Sequence, residues 1–105
     1  MSSSKQQIRE DFRLSVFKRD KNKCVFCPIT TNLDAHHITD RNEMPNGGYV
    51  KENGISLCSE HHLMAEKYHQ TNGKEWIEGF HPNDLYKKIN SSYELAKEKS
   101  LKLRE

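Results

Sequence analysis

Three cysteines and six histidines stand in a chain of 105 residues, and most of them fall into pairs. Cys24-x2-Cys27 and Cys58-x2-His61 are two such pairs. Each closes a short turn, so together they can surround one tetrahedral ion. Zn²⁺ favours a shell of thiolates and imidazole, and four protein ligands make a closed, structural site. The ion would clip the 30 residues between the pairs into one loop. A competing reading makes Cys58 a buried apolar residue and Cys24 with Cys27 a redox pair. His61 and His62 are adjacent and cannot point the same way from a helix start. Spacing assigns His61 to zinc and leaves His62 for another task.

A second histidine pair lies in Asp34-Ala-His36-His37-Ile38. Neighbouring strand residues point to opposite faces, so His36 and His37 have different jobs unless the backbone bends. His-His-Ile followed by Asn53-Gly-Ile-Ser-Leu-Cys58 and by His61-His62 resembles the HNH endonucleases, the ββα-metal nucleases. Arg13-x2-Val16-x2-Arg19-Asp20, ahead of the first Cys-x2-Cys, is similar to that family's lead-in, and the Gly47-Gly48 loop also fits. The resemblance covers about residues 9–66. It implies that His36 is a catalytic metal ligand and His37 the general base. It makes Asn53 the residue that holds the base or approaches the metal, and His62 the second ligating histidine. Glu66 stands one helical turn on, where many relatives carry a histidine ligand, and His61 stands where they usually carry a cysteine. Asp34 and Asp40 are reserve ligand candidates, though their first reading is as ordinary solvated loop carboxylates.

Phosphodiester hydrolysis needs a nucleophilic water, relief of transition-state charge and help for the leaving oxygen. A neutral imidazole with a pKa near ~6.5 can take a proton from water at neutral pH. A divalent ion can stabilise the developing negative charge. The resemblance implies Mg²⁺ or Mn²⁺ as the catalytic ion and 5′-phosphate and 3′-hydroxyl products. By ligand type alone, two imidazoles and a carboxylate also suit Ni²⁺ or Zn²⁺.

The elements that must position these residues follow from periodicity and turn chemistry. Ile8, Phe12, Val16 and Phe17 predict a helix over 5–20, with Ser4 as its N-cap. Arg9, Arg13, Lys18 and Arg19 lie largely off that stripe and are the expected DNA contacts. Residues 33–38 and 55–58 predict strands, with an irregular loop between. Ser59 would cap a helix from about Glu60 to His69, and a last helix opens at His81-Pro82-Asn83-Asp84. Trp76 is read as core, Tyr86 and Tyr93 as residues able to stack on bases, and Lys97–Glu105 as a fraying end.

The expected fold is therefore α+β, one HNH domain over residues 1–105, with a basic helix (1–23), a zinc-stapled ββα-metal core (24–66) and a helical extension (67–105). Charge follows the same division, with a balance of +4, then −4, then +2. Basic flanks around an acidic, metal-ligating centre suit a polyanion such as DNA. At 33% hydrophobic the chain can bury only a small core, so a staple is expected. No apolar run approaches the ~20 residues of a membrane span, and the start does not read as a signal peptide. That predicts a cytoplasmic protein with no membrane partner. Two other functions fit the cysteines: a non-catalytic zinc module binding nucleic acid or protein, and an accessory nuclease subunit in phage packaging or restriction. Whether the chain acts alone or as a homodimer is left open by the sequence.

Overall fold

The apolar stripe over the first turns forms helix α1, Lys5–Arg19, in a computed structural model that describes residues 5–104. The expected cap Ser4 lies outside the described residues. Phe12, Val16 and Phe17 are the buried face of α1, as their spacing requires. Strands β1 (Asp34–His37) and β2 (Gly54–Leu57) pair antiparallel, with His37 opposite Gly54 and His36 opposite Ile55. Helix α2 (Ser59–Gln70) follows β2 at once. Cys58, and not Ser59, is its N-cap. The chain is thus α+β, a two-stranded sheet with four α-helices among the described residues.

Two cores lie on either side of that sheet. On one face α1 packs Phe12, Val16 and Phe17. On the other, Ile38, Ile55, Leu57 and Ala65 join Leu85, Tyr86 and Ala96. Gly54 is where α1 comes closest. A Cβ there would stand 2.5 Å from Val16 Cγ2 and 2.7 Å from Phe12 Cε1. Glycine is required by that approach, since its backbone is ordinary extended chain.

The outer edge of β2 is closed by residues at the end of α1. Asp20 Oδ2 accepts from Ser56 N at 2.9 Å, and Ser56 O accepts from Val25 N at 3.0 Å. Arg19 grips Asp20 with Nε and Nη2, both at 2.8 Å, and donates to the carbonyls of Lys51 and Gly54. Arg19 was expected on the DNA surface. Its guanidinium instead ties α1 to β2 and to the turn before it.

The last helix is two. Helix α3 (Pro82–Lys88) is capped by His81 Nδ1, which accepts from Asn83 N. Asn90 at φ 57° breaks the chain, and Ser92 caps helix α4, Tyr93–Leu101. The expected fraying of residues 97–104 is not seen. Ser100 is fully buried and its carbonyl accepts from Asn46 Nδ2 at 2.9 Å. Trp76, expected in the core, is 47% exposed. No helix among the described residues is long and apolar enough to cross a membrane.

Candidate metal centres

Cys24, Cys27, Cys58 and His61 converge from three segments: the turn after α1, the end of β2 and the first turn of α2. Cys27 Sγ is 3.7 Å from Cys58 Sγ, and Cys24 Sγ is 3.6 Å from His61 Nδ1. Ligands at ~2.3 Å (sulfur) and ~2.0 Å (nitrogen) on a tetrahedral ion stand about 3.8 Å (S···S) and about 3.5 Å (S···N) apart. The Cys58 Sγ–His61 Nδ1 distance, 3.2 Å, is slightly tighter. The backbone N–H of His61 is the largest influence lowering the Cys58 thiol, which falls to about 7. These four residues can therefore hold a metal such as zinc, as their spacing predicts. All three cysteines are free of disulfides.

The second cluster is His36, His62 and Glu66. His36 comes from β1, and His62 and Glu66 from successive turns of α2. Two imidazole nitrogens meet one carboxylate oxygen: His36 Nδ1 and His62 Nε2 each lie 3.2 Å from Glu66 Oε2. On its other side, His62 Nδ1 is 3.2 Å from Asp34 Oδ2. His36 is 2% exposed, and neither of its ring nitrogens has a hydrogen-bond partner. Through Nδ1 the ring still stands 3.2 Å from Glu66 Oε2, a close polar neighbour. Burial lowers the His36 pKa despite Glu66, so the ring is neutral with its lone pair available. The adjacent His36 ring holds the Glu66 carboxyl down to about 2. Two imidazole nitrogens and a carboxylate around one point are a donor set for a divalent ion.

His37 takes the opposite face of β1, as alternation requires. Its ring stacks on Phe12 with centroids 4.5 Å apart and meets the edge of Tyr49 at 4.8 Å. Its Nε2 is buried without a partner. Burial, with smaller contributions from His36 and Arg41, pushes its pKa down to about 4. The structure thus gathers His36, His62 and Glu66 and sets His37 apart from them across the strand.

Asn53 is fully buried, and its side chain makes four contacts. Oδ1 accepts from Thr39 N and Tyr86 Oη, while Nδ2 donates to the carbonyls of Thr39 and Gly48. None of these reaches His37 or the cluster directly. Asn53 O also accepts from Ile38 N. Asn53 therefore clamps the backbone that follows His37. Asp40, a reserve ligand, instead accepts from Asn42 N and caps a 3-10 turn at Arg41–Glu43. Arg9, Arg13 and Lys18 are exposed on α1.

Three residues that sequence reasoning passed over belong to this region. His69 Nε2 donates to His37 O at 3.0 Å, and its ring lies 5.2 Å from that of His36. Its spacing from His62 and Glu66 on α2 was the available signal. Arg41 Nη1 donates to Tyr49 Oη at 3.3 Å, and the Arg9 guanidinium lies 5.7 Å from the Tyr49 ring. Two cations thus flank the tyrosine that touches His37. Compared with models of known families, with curated proteins and with solved structures, the chain matches none.

Proposed function

We propose that the chain is a metal-dependent endonuclease of the HNH type, hydrolysing phosphodiester bonds in DNA. The observation that carries this reading is the convergence of His36 Nδ1 and His62 Nε2 on Glu66 Oε2, beside a separate Cys3His cluster. At His36 Nε2 a buried imidazole nitrogen without a partner costs about 1–3 kcal/mol, which holding a second group at Nδ1 would justify. A zinc module without catalysis needs only the first cluster and leaves His36, His62 and Glu66 unexplained.

In this reading His36, His62 and Glu66 would hold Mg²⁺ or Mn²⁺, which would supply Lewis-acid relief of charge on the phosphate. Asp34 orients the His62 ring through Nδ1. His37 stays neutral at pH 7 and accepts the proton of the attacking water. Asn53 and His69 hold the His37 backbone from both sides. Arg9 and Arg41, beside Tyr49, receive the phosphates.

The test is nicking of supercoiled plasmid with Mg²⁺ or Mn²⁺, with and without chelator. Metal-dependent nicking that disappears in His62→Ala is expected. Absence of cleavage with every divalent ion, by folded and zinc-loaded protein, would falsify the reading.

A further inference from the structure

Beyond His69 the structure holds a small cleft that nothing above uses. It lies between the loop after β1, the end of α2 and the starts of α3 and α4. Tyr68, His69, His81 and Tyr93 form its walls, and buried Tyr86 lies among them. Its volume, about 170 Å³, is well below the roughly 300–1,000 Å³ of pockets for drug-sized ligands. One flat ring system is the scale of group it can take.

The rim extends this aromatic surface. Trp76 meets the edge of His81 at 4.7 Å, and His81 meets Tyr68 at 5.1 Å. Trp76 and Tyr93 are 47% and 39% exposed, so both rings are open to stacking beside the cleft. Polar groups in the cleft are Thr39, Asp40, Glu43 and Asn83. Carboxylates and an amide suit the N–H groups of a base edge and repel phosphate. The cations lie elsewhere: Arg41, between Asp40 and Glu43 in sequence, sends its guanidinium to Tyr49.

We propose that this cleft binds one unpaired nucleobase next to the metal cluster, so that the chain prefers single-stranded DNA. The inference rests on the nuclease reading and adds a substrate class to it. His69 joins the two places, lining the cleft while its ring lies 5.2 Å from that of His36. A base held there in a duplex would first have to leave its stack, whereas a single strand presents it freely. Aromatic stacking is worth about 1–3 kcal/mol per base, or roughly 5–150-fold in affinity.

The experiment uses a labelled single-stranded oligodeoxynucleotide and the same strand annealed to its complement, without added divalent ion. Binding is read by anisotropy, and contact at the cleft by fluorescence of Trp76, the only tryptophan. Expected is about tenfold tighter binding of the single strand, with quenching of Trp76. Tyr93→Ala, at an exposed helix start, should keep its melting curve and lose most of that preference while duplex affinity holds. Equal affinity for both strands, or a preference untouched in Tyr93→Ala, overturns the cleft. If plasmid nicking persists in that case, the nuclease reading stands without it. Failure to bind or cut either form overturns both.

Discussion

His36 and His37 are consecutive, yet one faces α2 and the other faces Phe12. Their substitutions should therefore part company. His37→Ala removes a ring that touches no candidate ligand, so zinc content and catalytic-metal affinity should hold. Cleavage should fall about 10²–10⁴-fold, the range for a lost general base. His62→Ala should lose activity and metal affinity together, which calorimetric titration with Mn²⁺ would separate from the first case. His37→Ala that nicks at near-normal rate, or that loses Mn²⁺ binding, would sink the assignment. The arginines divide in the same way. Arg19→Ala breaks charged hydrogen bonds to Asp20 and two carbonyls and should cost about 2–3 kcal/mol in a denaturant melt. Arg9→Ala and Arg41→Ala should leave the melt unchanged and weaken DNA binding, each lowering the salt slope by about one. An Arg19→Ala protein of unaltered stability would return that residue to the DNA surface.

Gly54 sits opposite His37 in the sheet, beneath Phe12. The missing side chain lets one phenyl ring touch both the strand and the imidazole. Gly54→Ala should push α1 outward, cost about 1–3 kcal/mol by overpacking, and turn the His37 ring. A changed His37 shift by NMR with an unchanged structural zinc is the expected signature. An unshifted ring in a protein of normal stability would count against Phe12 as its support. Sequence alone reveals α1 by its apolar stripe, β2 by alternation, β1 by its length, and α2 by a serine suited to capping at its start and turn residues after it. It hides the split between α3 and α4, since Asn90 must adopt positive φ before Ser92 can cap. The candidate ligands His36, His62 and Glu66 are visible through the spacing of a resemblance. Asn53 is visible there too, but its partners are backbone groups and Tyr86, 33 residues away. His69 and Arg41 act through a carbonyl and a tyrosine brought near by packing, which no short spacing encodes. Trp76 lacks a periodic neighbour pattern that would have placed it outside.

At the scale of the molecule, the Cys3His cluster joins the end of α1, the hairpin and α2 across a thin core. A structural zinc can contribute on the order of 10 kcal/mol of apparent binding energy, against about 5–15 kcal/mol of total stability. Cys58→Ala should therefore give an unfolded or aggregating chain, read by circular dichroism. A soluble variant with the parent melting curve would exclude a zinc-borne fold. Graded EDTA should stop cleavage first, while elemental analysis still finds about one zinc per chain, because four protein ligands hold the closed site. Coincident loss of both would argue against two centres. Helix α2 begins between these centres, with His61 committed to one and His62 to the other. Rotation of about 100° per residue aims the two rings apart from neighbouring positions. Adding or deleting one residue between Cys58 and His61 would swing donors of both centres off target at once. The turn from Cys58 to His61 is accordingly a segment of fixed length, set by two centres rather than by one.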